Sequence, residues 1–327
     1  MMDLTAVAPR VPNMGETVIG SAFYTAPGGK GANQAVQCAR LGAEVSMAGC
    51  VGEDSFGREM LEAVRAAGVD VSHVKISKKT FSGVGNIQLE RTPQGTQNRI
   101  LVVPGANYDL VPEDLDWLTE EVKNFDLVML QLELSPEVTR FVAQQAHNAN
   151  VPVMLNPAPA AKLSAELLSC ITYLSPNEHE AALLTDVCIR TDENGANSDD
   201  ILLCANKLGE QGVEKVIITL GVNGAVLADR EGLHHTSCVK MEKVCDPTAA
   251  GDSFVAAFCT GITAGMSESD AMTLASHTAA VSVSRAGAMP SLPTIDDVAM
   301  LMQERNCLLY RSEIIQKLKE GEWKDAE

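Results

Sequence analysis

Asp252 follows three small residues, Ala249, Ala250 and Gly251, within CDPTAAGDSF (Cys245–Phe254), and an apolar-periodic stretch, VAAFCTGITAG, comes directly after it. Small side chains let a ligand approach the backbone closely. A helix beginning there offers unsatisfied N–H groups and the positive end of its dipole, which suits an anion. A carboxylate in the first turn of that helix can take a proton from a hydroxyl that attacks a phosphoryl group held at the amides. The same residue also has a plain reading, as an acid that stabilises a helix start. The chemical reading therefore depends on what accompanies it.

A second glycine-rich run, APGGKGANQA (Ala26–Ala35), also precedes a helical pattern, which ends at Gly42. Gly31 follows the GK pair where a Walker loop needs Ser or Thr, and Gln34 stands in the last place of a would-be GxGxxG, so neither nucleotide motif is present. Gly28 and Gly29 allow close approach of the backbone. Lys30 and Asn33 present a cation and an amide suited to several hydroxyls. In SPNEHEAALLTD (Ser175–Asp186), Asn177 and Glu180 are three apart at a helix start and share a face. Such a pair can hold a hydrated magnesium ion beside phosphates, and it is equally the pattern of a capping box. ITLGVNGAV (Ile218–Val226) ends a strand in a double-glycine turn that can accept an adenine or a phosphate, and on its own is merely a turn.

The elements that must position these groups alternate. Val45–Val51 reads as a strand, followed by a helix over Ser55–Ala67 closed by Gly68. The unit recurs in Leu127–Leu132 with Pro136–Asn148, in Val153–Leu155 with Ser164–Cys170, and in Val216–Leu220, with late helices over Ala250–Ala264 and Ser269–Ser284. Repeated βα units predict an α/β fold with a mostly parallel central sheet and helices on both faces. Two stretches break the rhythm, Glu16–Thr25 and Phe81–Val103, the latter around a Thr92–Gly95 turn, and both read as hairpin-like antiparallel strands. They predict a small β lid over the main sheet, built from about residues 3–25 and 80–103 of a single domain spanning 1–327. Thr191–Asp200 reads as a solvated loop, and the chain from 305, above all Lys317–Glu327, as a polar tail.

Composition narrows the partners. Lys and Arg total 25 against 43 Asp and Glu, a net charge of −18. That field repels a polyphosphate backbone, so nucleic acid is not an expected partner, and an anionic ligand must be attracted locally by helix N-termini, backbone amides and cations. No apolar run approaches the roughly 20 residues a bilayer needs, and the start MMDLTAVAPR lacks a signal pattern. The nine cysteines are an odd count with no CxxC pair, which fits a reducing, cytoplasmic setting and buried free thiols. An organellar leader ahead of Met1 is compatible with this reading.

Taken together, the four segments resemble the ribokinase (PfkB) family of carbohydrate kinases, from about Asp3 to Pro293. GGKGANQA and DPTAAGDSF resemble the two family signatures. Asn13–Gly20, QLE (Gln131–Glu133), NPAPA (Asn156–Ala160) and GAMPSLP (Gly287–Pro293) are supporting matches. The resemblance implies an ATP-dependent kinase that phosphorylates D-ribose at O5. Asp252 then corresponds to the catalytic base, and the amides of Ala249, Ala250 and Gly251 to the hole for the transferring phosphoryl. Asp3, Gly29, Lys30, Gly31, Asn33 and Glu133, with Asp252, correspond to the sugar-holding set. Asn177, Thr219, Leu220, Gly221, Val222, Asn223, Gly224, Gly251 and Ser276 correspond to ATP contacts, and Glu180 to an acid near Mg2+. Asp246, Thr248, Ser282, Arg285, Gly287 and Ser291 correspond to positions ringing an activating K+. The exposed strand edges of the lid need cover, which predicts a homodimer formed through it.

One departure stands out: family members begin with a buried strand that ends in an Asn-x-Asp sugar motif, whereas here Met1 occupies the Asn position and Asp3 is retained. Within the family, deoxyribose, fructose or a nucleoside are alternative substrates, though aromatic residues at 4% offer little surface for a base. A sugar-binding or regulatory form without turnover is a further alternative. A dinucleotide oxidoreductase is disfavoured by the lack of a strand–GxGxxG–helix unit.

Overall fold

The computed structural model describes residues 1–92, 95–192 and 195–321, with the side chains of 91, 92, 95 and 96 left aside. The strands are β1 (Met2–Ala8), β2 (Ala22–Pro27), β3 (Gly49–Gly52), β4 (Val74–Ser77), β5 (Val84–Thr92), β6 (Gly95–Val103), β7 (Val128–Leu130), β8 (Val153–Leu155), β9 (Tyr173–Leu174), β10 (Thr191–Asp192), β11 (Gly195–Ala196), β12 (Lys215–Thr219), β13 (Ala225–Asp229) and β14 (Gly232–Thr236). The helices are α1 (Lys30–Arg40), α2 (Ser55–Ala66), α3 (Leu118–Glu121), α4 (Pro136–Asn148), α5 (Ala165–Leu168), α6 (Glu178–Thr185), α7 (Ser198–Gly209), α8 (Ala250–Thr263), α9 (Glu268–Val283), α10 (Ile295–Glu304) and α11 (Glu313–Glu320).

The central sheet has the order β14-β13-β12-β9-β8-β7. Its β12-β9-β8-β7 part is parallel, and β13 and β14 add antiparallel strands at one edge. Strand alternation sends successive side chains to opposite faces. Val153, Leu155, Val216 and Ile218 join one core with α4 to α7. Met154, Tyr173, Ile217 and Leu227 join another with α8 to α11. Both faces are thus covered, and short strands composed almost wholly of apolar residues are what such burial requires. Helix α8 is buried over ten consecutive residues from Asp252 to Gly261, as expected for a central helix that is apolar on all sides.

Local signals fix the helix starts. Ser135 caps α4 by accepting from Val138 N, with Pro136 at the first helical position. Asp54 caps α2 by accepting from Gly57 N at 2.7 Å. A separate four-stranded sheet, ordered β2-β1-β5-β6, carries β1 antiparallel to β2 and parallel to β5. Strand β3 pairs with β4. Between β3 with the segment leading to it and the edge strand β7 lies a mainly apolar cavity of about 240 Å³, lined by Val45, Met47, Ala48, Met129, Cys38 and Trp117 among others.

Several expectations shift. Residues 16–21 form no strand, and regular pairing begins at Ala22. Residues 93 and 94 of the expected turn lie outside the described residues, while β5 and β6 on either side pair antiparallel. The supposed loop at 191–200 contains the β10–β11 pair and the start of α7, with residues 193 and 194 outside the described set. The supposed tail carries α11, whose Ile315 and Leu318 are buried in the core. The exposed polar residues of that helix mask its apolar i, i+3 pair in a composition-based reading. Residues 322–327 of the tail lie outside the described set. Of the nine free cysteines, Cys38, Cys50, Cys170, Cys204 and Cys259 are buried, whereas Cys188 and Cys245 are exposed.

Candidate active site

Parallel strands deliver their C-terminal ends to one rim, the usual place for a ligand in such a sheet. Gln131 and Glu133 follow β7, Asn156 follows β8, Ser175 and Asn177 follow β9, and Thr219 ends β12. Against this rim lie the N-termini of α1 and α8, each preceded by residues without bulky side chains.

Asp252 sits in the first turn of α8 and is buried. Its Oδ2 accepts from Asn33 Nδ2 at 2.9 Å and its Oδ1 from Gln34 Nε2 at 3.1 Å. Both donors come from α1, so the two glycine-rich segments form one assembly. Ala249, just before the helix, holds the left-handed conformation with φ 62° and caps nothing with its side chain. A non-glycine residue in that region is strained, a condition often kept at functional sites. Ala250 N turns back to Pro247 O at 3.2 Å and Ser253 N to Ala249 O at 2.8 Å. The amides of Gly251 and Asp252 belong to the first turn, where helix geometry provides no intrahelical acceptor and leaves them for a ligand.

On the opposite side of the rim, Asp3 projects from β1. A Cβ on Gly28 would stand 2.2 Å from Asp3 Oδ2 and one on Gly85 2.9 Å from Oδ1, so these glycines leave the space this carboxylate occupies. Burial raises its pKa to about 6; the Met1 amino group opposes that shift and Asp252 adds to it. Glu133 accepts Lys30 N at 2.8 Å. Burial raises the Glu133 carboxyl as well, partly offset by the Met1 amino group and by Lys30. Gly29 has φ 91°, and a Cβ there would meet Met1 N at 2.7 Å. Asp3, Gly29, Lys30, Asn33, Glu133 and Asp252 thus gather in one region, with Gly31 against Gln131 Oε1.

The proposed nucleotide residues lie along the neighbouring strand ends. Asn177 bridges Thr219 in parallel fashion, and Thr219 N donates to Pro176 O at 3.0 Å. Leu220 leads into a single 3-10 turn, Gly221–Asn223, closed by Gly224 at φ 86°. At Gly224 a Cβ would stand 2.1 Å from Thr236 O. Ser276 is buried on α9, and no hydrogen bond ties it to these turns. Asn177 and Glu180 form the reciprocal capping box: Glu180 N donates to Asn177 Oδ1 at 2.9 Å and Asn177 N to Glu180 Oε2 at 2.8 Å. Burial raises the Glu180 pKa, against the Asn177 amide and Lys30, while Asp252 adds to the rise. A cap and a position beside phosphates are compatible, because the cap engages one of the two carboxylate oxygens.

The third group is partly assembled. Asp246 Oδ1 accepts from Thr248 N and Oγ1, at 2.9 and 2.6 Å, and Oδ2 accepts from Gly287 N at 3.0 Å. Ser282 and Ser291 exchange a hydrogen bond at 3.0 Å. The Arg285 side chain turns away to pair with Asp297 in the first turn of α10. Among the described residues, no cluster of three or more His, Cys, Asp or Glu side chains suits a metal ion.

Three further polar residues belong to this rim and carried no role in the sequence reading: Gln34, Gln131 and Asn156. Gln131 Nε2 donates to Gln34 Oε1 at 2.6 Å, and Gln34 Nε2 is 3.3 Å from Asn156 Oδ1. Their signal was present, since each lies inside a segment that resembles the family.

The architecture and the rim define a sugar kinase of the α/β class, and comparison with known proteins agrees. The model for pfkB family carbohydrate kinases matches residues 1–295. The chain belongs to that family, whose members are phosphotransferases with an alcohol group as acceptor. More narrowly, it is similar to the ribokinase of Schizosaccharomyces pombe, 39% identical over 90% of this chain and 93% of that one. It is similar to the ribokinase of Lactococcus lactis, 37% identical over 94% and 96%. It also resembles the structure of Arabidopsis thaliana ribokinase complexed with ribose and ATP, with a TM-score of 0.84 and 32% identity over 92% of this chain and 96% of that one. No helix among the described residues is long and apolar enough to cross a membrane.

Proposed function

We propose that this protein phosphorylates D-ribose at O5 with ATP, giving ribose 5-phosphate and ADP. The observation that carries the reading is the Asp252 carboxylate, fixed by Asn33 and Gln34 at the start of α8. Asp3, Lys30, Asn33 and Glu133 suit a polyhydroxylated ligand, since carboxylates accept from hydroxyls and amides both donate and accept. The relatives favour ribose, with four ribokinases at 36–39% identity. A deoxyribokinase from Salmonella typhi stands at 33%, which makes 2-deoxyribose the second reading.

Asp252 takes the O5 proton as the O5–P bond forms and the bond from phosphorus to the ADP oxygen breaks. Of the expected amides of Ala249, Ala250 and Gly251, that of Ala250 is engaged by Pro247 O, so the negative charge of the transferring group falls to Ala249, Gly251 and the neighbouring Asp252 amide, the fixed-dipole stabilisation that supplies much of such catalysis. Thr219, Leu220, Gly221, Val222, Asn223 and Gly224 lie along the ATP-binding side, with Asn177 beside them and Ser276 as a further contact. Glu180 offers one carboxylate for a hydrated Mg2+, which commonly relies on few protein ligands and on substrate phosphates. When bound, Mg2+ neutralises phosphate charge. The hard oxygen donors of Asp246, Thr248, Ser282 and Ser291, with carbonyls at 285 and 287, suit a monovalent cation such as K+. The nine unpaired thiols suit a reducing setting such as the cytoplasm.

The small sheet β2-β1-β5-β6 is read as a lid over the sugar. Phe23, Tyr24, Ile100 and Leu101 on it are exposed, and a second copy covering them makes a homodimer. The reading as a whole is tested by measuring ADP formation with D-ribose and 2-deoxyribose as competing acceptors. Higher kcat/KM for ribose supports it, and ATP turnover that neither sugar stimulates overturns it.

A further inference from the structure

Gln34 is 1% exposed, and both polar atoms of its amide are engaged. The two Nε2 hydrogens face Asp252 Oδ1 at 3.1 Å and Asn156 Oδ1 at 3.3 Å, while Oε1 accepts from Gln131 Nε2 at 2.6 Å. Turned over, the amide would set its oxygen against two acceptors and its nitrogen against a donor, so the network permits one orientation. Asn156 is itself oriented by Nδ2 donating to Ser175 O at 2.9 Å. The ends of β7, β8 and β9 therefore converge on one glutamine, and that glutamine grips the carboxylate of α8.

We propose that Gln34, locked by Gln131, is a positioning residue for phosphoryl transfer, holding the Asp252 carboxylate aimed at the acceptor hydroxyl. The inference rests on the reading of Asp252 as the base. Asn33 occupies Oδ2 and Gln34 occupies Oδ1, so the carboxylate cannot swing about its last torsion without breaking a hydrogen bond. Orientation is what the grip secures, since an error of about 1 Å in a reacting group can cost on the order of 10²-fold in rate.

The test compares Gln34→Leu, Gln34→Glu, Gln131→Leu and the Gln34→Leu/Gln131→Leu double variant, each checked for folding by circular dichroism. Gln34→Leu is expected to lower kcat by roughly 10–100-fold and to leave the ribose KM within about threefold. Gln34→Glu, which keeps the shape but removes the donor toward Asp252, shows a comparable loss of kcat. Gln131→Leu shows a smaller loss in the same direction, and the double variant is no worse than Gln34→Leu, because the two act in series. Full kcat in Gln34→Leu, or a change in KM alone, overturns the proposal. Should Gln34→Leu fail to fold, full kcat in both Gln34→Glu and Gln131→Leu overturns it. Asp252→Asn separates the two readings: near-normal turnover there removes the base itself, whereas loss of turnover there with a normal Gln34→Leu removes only the role of Gln34.

Discussion

Asn33 Nδ2 donates to Asp252 Oδ2 at 2.9 Å, across 219 positions of sequence. The bond ties the start of α1 to the start of α8. Asn33 Oδ1, on the same amide, is buried and has no hydrogen-bond partner among the described residues. Buried polar atoms without partners are uncommon, and a ligand hydroxyl donating to Asn33 Oδ1 satisfies this one. On the proposed function, substrate capture and activation share this one side chain.

Asp3 predicts opposite pH effects on binding and on stability. Its carboxyl titrates near 6, against 3.8 for the free group. Between those values the folded protein holds a proton that the unfolded chain has released. Stability from this group is therefore greatest on the acid side and falls as pH rises from about 4 to 6, by a figure on the order of 2–3 kcal/mol. Sugar binding needs the ionised acceptor, so the ribose KM should rise as pH falls below about 6. In Asp3→Asn the KM should be higher throughout and lose that rise, while above pH 6 the melting temperature should exceed that of the parent. KM and melting curves over pH 5–8 check both, and a KM that is flat in the parent removes Asp3 from the sugar site.

Glu180→Gln distinguishes a helix cap from a group beside the phosphates. Glutamine can still accept from Asn177 N and complete the capping box, so the melting temperature should change by no more than a few degrees. The Mg2+ concentration needed for half-maximal rate should rise severalfold. A variant with lowered stability and unchanged Mg2+ dependence would leave Glu180 as a cap alone.

Much of the rim was legible in the sequence because it lies at helix starts and turns, where function and local backbone requirements coincide. Asp252, Asn33 and Glu133 carry their chemistry in residue type, and α4, β8 and α8 carry theirs in apolar periodicity and in the Ser135-Pro136 cap. Gln34 and Gln131 were not assigned because their roles lie in contacts with each other and with Asp252, 97 and 218 positions apart, which leave no local signal. Strands β13 and β14 were not separated from the turn preceding them, as their pattern is short and continuous with β12. The pairing of the Arg285 side chain with Asp297 was not legible, since it depends on the packing of α10.

Potassium should activate the enzyme relative to sodium. Asp246 secures the loop at 287 through the Gly287 amide and its own turn through Thr248. Asp246→Ala should lower kcat and abolish the difference between the two cations. Initial rates in matched KCl and NaCl check this, and equal rates in the parent protein remove the monovalent site.

The small sheet should pair with its counterpart in solution. Phe23 and Leu101 are each 67% exposed, and an open sheet with apolar side chains and unpaired edges invites association. Light scattering at micromolar concentration should give a dimer mass, and Leu101→Asp should shift it toward the monomer. A parent protein that is monomeric at that concentration contradicts the pairing.

The central claim is that Asp252 activates the O5 hydroxyl of ribose for attack on ATP, and the direct measurement is ribose-dependent ADP formation by the parent chain and by Asp252→Asn, with the product identified by phosphorus NMR. The expected result is ribose 5-phosphate from the parent, with kcat lowered by roughly 10²–10⁴-fold in the variant and ribose affinity within a few fold. A folded parent that forms no ribose 5-phosphate, or a variant that retains the parental kcat, would contradict it.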